Sequence, residues 1–249
     1  MGDRKPTPPT TGTAADTDVS AFLEQLSRTP AARTQGGKRA RLIFALDATA
    51  SREPTWDRAC HLQGEMFEAT AQIGGLDVQL VFYRGFRECK ATPFVSDARA
   101  LAERMTKVQC RGGHTQIRRV LQHALNTNAK EPVQAVVFVG DAFEEPVDDV
   151  CHLAGQVGLA GVPMFMFHEG GDPVVARVFK EIARLTRGAY FPFNAASANR
   201  LGDLLGAVAA YAAGGLKALG HFGEGSRDAG RIEAARQLTD QMTRRGGGR

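Results

Sequence analysis

An unbroken apolar run, Leu42-Ile43-Phe44-Ala45-Leu46, ends abruptly at Asp47, and Thr49 and Ser51 follow at alternate positions. A run of this length bounded by polar residues reads as a strand buried on both faces. Strands of that kind belong to parallel sheets sandwiched between helices, which narrows the fold more than any compositional figure. Ligands bind beyond the carboxyl ends of such strands, so Asp47, Thr49 and Ser51 are expected on a rim loop. One carboxylate with two hydroxyls at i, i+2 and i+4 offers hard oxygen donors suited to Mg²⁺.

The rest of the chain alternates in the same way. Residues 77–83, DVQLVFY, read as a second strand, and 86–94 as a third, shorter and more polar, after a tight Arg84-Gly85 turn. A turn that short makes an antiparallel neighbour. Residues 133–139 form another apolar strand that stops at a carboxylate, Asp141. Residues 162–167 and 189–193 read as the fifth and sixth strands. Three- and four-residue apolar spacing predicts helices over 54–73, 96–108, 117–125, 147–157, 173–186 and 199–211. The expected fold is therefore α/β: a three-layer αβα sandwich around a Rossmann-like, mostly parallel sheet with one antiparallel edge strand.

Composition enters at the ends. Residues 1–38 are rich in Pro, Thr and Gly and read as mostly disordered, with a short helix over 19–26. The expected domain spans 39–213, and 214–249 reads as a basic tail with an amphipathic segment over 231–242. Residues 1–40 carry a net +2 and 214–249 a net +3, leaving −1 on 41–213. Mobile, solvated charge is the first reading of those ends. Neither end interleaves aromatics with its basic residues, which argues against nucleic acid. No stretch is apolar enough to span a membrane. Cys60, Cys89, Cys110 and Cys151 are scattered without a CxxC pair, and the polar N-terminus has no apolar signal segment. The expected location is the reducing cytoplasm.

Three loops carry related chemistry: Asp47, Thr49 and Ser51 on the first, Thr115 after Gly112-Gly113 on the second, Asp141 on the third. Two carboxylates and three hydroxyls on one rim suit an octahedral Mg²⁺ that keeps some water. In this order they resemble the metal-ion-dependent adhesion site of the von Willebrand factor A family: D-x-S-x-S, a threonine in a glycine-containing loop, then an aspartate after the next central strand. The resemblance covers roughly 40–213. It implies a divalent cation, Mg²⁺ or alternatively Mn²⁺ or Ca²⁺, at Asp47, Thr49, Ser51, Thr115 and Asp141. It also implies a protein partner that supplies a carboxylate to the cation, and for intracellular members a larger assembly, sometimes beside a chaperone-like ATPase. Glu144 and Glu145 read as a solvated loop, and His114 as either a partner contact or loop filling.

Two other classes stay open. Gly140 and Ala142 stand where the family usually has threonine or serine and glycine, which would suit a metal-free scaffold with a vestigial site. A Mg²⁺-dependent phosphohydrolase with Asp47 as nucleophile would need a second aspartate where the chain has Thr49. No P-loop or GxGxxG fingerprint is present either, so the expectation is a binding module and not an enzyme.

Overall fold

The computed structural model describes residues 39–52, 76–193, 198–224 and 229–244. The helices expected over 19–26 and 54–73 lie outside these. Six strands form one sheet in the order β3-β2-β1-β4-β5-β6. They are β1 (Ala40–Asp47), β2 (Leu76–Arg84), β3 (Glu88–Ala91), β4 (Ala135–Gly140), β5 (Met164–Glu169) and β6 (Tyr190–Phe193). All pairs are parallel except β2 with β3, which are antiparallel, as expected of a short turn.

Helices cover both faces, and the strand alternation assigns each side chain to one of them. On one face Leu42, Phe44 and Leu46 of β1 and Val137 and Val139 of β4 are buried together with residues of α1 (Ala98–Met105), α5 (Ala198–Glu224) and α6 (Ala229–Arg244). On the other, Ile43 and Ala45 of β1 and Val136 and Phe138 of β4 meet α2 (Ile117–Lys130), α3 (Val147–Leu159) and α4 (Pro173–Leu185). Each fully buried Leu, Val or Phe contributes about 1.5–3 kcal/mol of transfer free energy. The two apolar central strands are thus the natural axis of the fold. α4 starts with Asp172 capping the Val174 and Val175 amides and Pro173 in its first turn.

α5 breaks at Gly214 and Gly215, where the backbone leaves helical geometry and Gly215 takes a φ of 67°. Beyond the break the chain turns back. Leu219 of α5 and Ala234, Ala235 and Leu238 of α6 join the first-face core. α6 also meets the sheet's outer edge: Gln241 accepts from the Tyr190 amide (3.0 Å) and donates to the Tyr190 carbonyl (3.2 Å), as a neighbouring strand would. Among the described residues no helix is long and apolar enough to cross a membrane.

Candidate metal centre

The parallel register brings the rim together. Asp47 ends β1 directly opposite Tyr83 of β2, and Leu46 pairs with Val139 of β4. Asp141, just past β4, therefore comes up beside the 47–52 loop. That loop folds back as a short 3-10 turn over Ala50–Arg52. Asp47 initiates the turn: its Oδ1 accepts the Thr49 amide (2.8 Å), the local carboxylate-to-backbone bond that favours Asp at such positions. Its Oδ2 accepts the phenolic proton of Tyr83 (2.8 Å), and both side chains are fully buried. The loop's far end is tied down by Arg52, whose buried guanidinium lies 3.0 Å from Glu169 at the end of β5.

A line of hydrogen bonds then runs across the rim. Ser51 Oγ donates to Asp141 Oδ1 (3.3 Å) and lies 3.1 Å from Thr49 Oγ1. Ser51 has one proton, so with it on Asp141, Thr49 is the donor in the Thr49–Ser51 contact. Both hydroxyl oxygens keep an uncommitted lone pair. Thr115 sits at the start of α2, bound not to this line but to the loop after Asp141. Its amide donates to Glu144 Oε2 (3.1 Å), and its Oγ1 accepts from the Glu144 amide (2.9 Å). The structure thus joins Asp47, Thr49, Ser51 and Asp141 directly, and holds Thr115 through the segment that follows Asp141.

Two roles here were invisible in the sequence reading. Tyr83 reads as one more core residue of an apolar strand; only the register opposite Asp47 reveals it as a donor. Glu145 reads as a solvated loop residue, yet it accepts from the Ile117 amide (2.5 Å) and the Arg118 amide (3.0 Å), capping α2 from outside the helix. An unpaired helix start at 117 was the available signal, since Gln116 offers no side-chain cap. The loop of Thr115 is itself clamped. A Cβ on Gly113 would lie 2.0 Å from the Gly85 carbonyl oxygen, so only glycine permits this approach of the 109–115 loop to the β2–β3 turn.

Burial dominates the electrostatics of the rim. Burial pushes the Asp47 carboxyl above its ordinary range. The hydrogen bonds from Thr49 and Tyr83 pull it down, and the neighbouring charge of Asp141 pushes it up again. Burial also raises Glu145, opposed by its bonds to Arg118, Ile117 and Thr115. Tyr83 is raised well above its usual value, by burial first and then by the charges of Asp47, Glu145 and Asp141. Among the described residues no group of three or more His, Cys, Asp or Glu side chains is gathered for a metal. A cation here would depend on the hydroxyls as well. The donor set passes that test: it is all oxygen, its hydroxyls retain lone pairs, and its carboxylates repel one another.

No family model matches the chain, and no curated protein matches it in sequence. Solved structures do. The SpRpn10 VWA domain aligns over 63% of this chain and 88% of its own length, at 10% identity and a TM-score of 0.52. A von Willebrand factor type A protein from Catenulispora acidiphila aligns over 71% of this chain at 14% identity and a TM-score of 0.57, and the chain spans only 43% of that protein. The vWF domain of the type V pili tip protein Mfa5 from Porphyromonas gingivalis aligns over 69% of this chain and 94% of its own, at 10% identity and a TM-score of 0.56. At such identities the likeness concerns architecture alone, and the architecture is that of a von Willebrand factor A domain, with Asp47, Thr49, Ser51 and Asp141 at the carboxyl rim of its sheet.

Proposed function

We propose that this chain is a cytoplasmic, metal-dependent protein-binding module and not an enzyme. Asp47, Thr49, Ser51, Thr115 and Asp141 would hold a divalent cation, Mg²⁺ or alternatively Mn²⁺ or Ca²⁺. When bound, the cation supplies a hard positive centre to which a carboxylate of a partner protein can bind. The observation that carries this reading is the line from Thr49 through Ser51 to Asp141, which leaves lone pairs on two hydroxyl oxygens beside two carboxylates. Asp47 orders the loop, with its oxygens engaged by the Thr49 amide and the Tyr83 phenol, and adds its negative charge beneath the hydroxyls. Thr115 and Glu145 fix the start of α2 on the same rim. A larger assembly with a chaperone-like ATPase is the setting the sequence resemblance suggests.

A second reading has one observation in its favour. Both Asp47 oxygens already have protein donors, so the rim is also satisfied as a metal-free scaffold. Calorimetric titration of Mn²⁺ and Mg²⁺ into chelator-stripped protein separates the two. Saturable one-site binding that is lost in both Ser51→Ala and Asp47→Ala supports the metal module. Heats indistinguishable between wild type and both variants would leave the scaffold.

A further inference from the structure

The loop that brings Thr115 to the rim also forms the wall of a second feature. Beside the β2–β3 turn lies an open groove of about 630 Å³, lined by Arg84, Phe86, Arg87, Glu88, Lys90 and Arg111 among others. Four cations line it with a single carboxylate, which three of them reach. Glu88 receives Arg84 Nη2 at 2.9 Å, Lys90 Nζ at 2.8 Å and Arg111 Nη1 at 3.6 Å. The hydrogen bonds from Arg84 and Lys90 hold the Glu88 carboxyl down at about 2, so it stays charged at any physiological pH and can neutralise one cation only. Lys90 and Arg111 remain 62% and 58% exposed, so their charge faces solvent. This is a local concentration: residues 41–213 carry a net charge of −1.

The groove is continuous with the candidate metal centre. The Arg111 amide donates to the Ala48 carbonyl (3.1 Å), and Arg111 pairs with Thr49 in an isolated parallel bridge. One ligand could therefore touch both. The walls are also preformed, since Gly85 (φ 60°) and Gly113 lock the two loops together. Phe86 stands 72% exposed on the same turn, edge-on to His114 with ring centroids 5.3 Å apart. It is the single exposed Phe, Tyr or Trp of the described residues. Single-stranded nucleic acid binds positive grooves through successive stacking platforms, and one ring does not make a series. A run of acidic side chains needs only the spaced cations, with Phe86 as an apolar wall against their methylene stems.

We propose that this groove binds an acidic peptide stretch of a protein partner, its carboxylates paired with Arg87, Lys90 and Arg111. The groove's attraction for acidic residues does not need the cation; only the continuation of the same peptide onto the metal centre rests on the function proposed above.

The test is fluorescence anisotropy of a labelled oligoglutamate titrated with the full chain at low salt, with Mg²⁺ and with chelator, and a labelled oligouridylate as competing class. Arg87 and Lys90 are exposed, so the double reversal Arg87→Glu/Lys90→Glu is expected to fold, which its circular-dichroism melt verifies. Oligoglutamate should bind, weaken with added salt, and lose about tenfold in the double reversal, the equivalent of about 1.4 kcal/mol. Loss in the double reversal with no response to chelator or Asp47→Ala would support the groove and overturn only the continuation of the same peptide onto the metal centre. The groove proposal is overturned if the double reversal binds like wild type, if wild type does not bind, or if oligouridylate binds more tightly than oligoglutamate.

Discussion

Replacing Tyr83 by phenylalanine removes one oxygen and leaves the ring, which lies near Phe138 with centroids 6.2 Å apart, in place. The lost group is the proton donor to Asp47 Oδ2 at 2.8 Å, in a pair buried at 0% exposure on both sides. No water can reach the abandoned carboxylate oxygen without repacking. A hydrogen bond to a charged group contributes a net of about 1.5–3 kcal/mol, and an orphaned buried acceptor forfeits all of it. Tyr83→Phe should therefore destabilise the chelator-treated protein by about 1.5–3 kcal/mol, roughly 3–12 °C in Tm for a domain of this size. The sign should change when the acceptor is gone. In an Asp47→Ala background the phenol is itself the orphan, so Tyr83→Phe should be neutral or stabilising. Urea denaturation of the four proteins of this cycle gives the coupling directly. An equal cost of Tyr83→Phe in both backgrounds would refute the bond as the cause. If the metal centre is real, the same variant should also lose about 10–100-fold in Mn²⁺ affinity, the usual cost of releasing a group behind a ligand.

Two further expectations test the frame around the site. Gly113→Ala places a methyl 2.0 Å from the Gly85 carbonyl oxygen, a backbone atom, whereas Gly112→Ala meets nothing within 4 Å. The first should cost at least about 1–3 kcal/mol in thermal or urea melts and the second almost nothing; equal effects would show that the loop does not approach the turn this closely. His168 is fully buried, with Nδ1 2.9 Å from the Tyr190 hydroxyl, and burial lowers its pKa below the ordinary 6.5. Because the unfolded chain takes up the proton first, stability should be constant above the unfolded value, fall as pH drops below it, and level off beneath the folded value. His168→Gln, though less stable throughout, should lack that part of the slope in a series of melts across the acid range; an unchanged slope would assign it to other groups.

The sheet was legible because its strands are extreme. Leu42–Leu46 and Ala135–Val139 are apolar throughout, and only central parallel strands bury both faces. The antiparallel orientation of the third strand followed from the tight Arg84-Gly85 turn, although the strand, Glu88–Ala91, is shorter than the expected 86–94. The rim was legible for a related reason: a parallel sheet sends the residues after every strand to the same edge, so Asp47 and Asp141 had to share it, and the pairing of β1 with β4 makes them neighbours. What stayed hidden depends on register or on distant partners. Tyr83 could be known as a donor only once β2 was aligned on β1. Glu145 caps a helix that begins 28 residues earlier. The amphipathic pattern over 231–242 was readable, but its docking was not: Ala234, Ala235 and Leu238 are a modest apolar face, and Gln241 finds its partner at Tyr190, in an edge strand far back in the sequence. The cationic groove escaped notice because its four basic residues come from two separate segments of a region whose net charge is −1.

The residues of the rim are unequal as probes of function, because several of them also hold the fold. Asp47 orders the loop through Thr49 and neutralises a buried donor on Tyr83. Arg52 and Glu169 anchor the loop's other end as a largely buried ion pair. Removing one member of such a pair typically costs several kcal/mol, since the other charge is left in a low-dielectric site. A loss of metal or partner binding after substitution at 47, 52 or 169 thus mixes two effects. Ser51 is different: it is exposed, and its Oγ makes one bond to Asp141 at 3.3 Å and one contact to Thr49 at 3.1 Å. Ser51→Ala removes a lone pair offered to a cation and, of the buried groups, releases only the Thr49 hydroxyl from its 3.1 Å contact, at a cost expected within about 1 kcal/mol. Binding that fails in Ser51→Ala at unchanged Tm therefore reports on the site alone, and binding that fails only in Asp47→Ala reports on the loop.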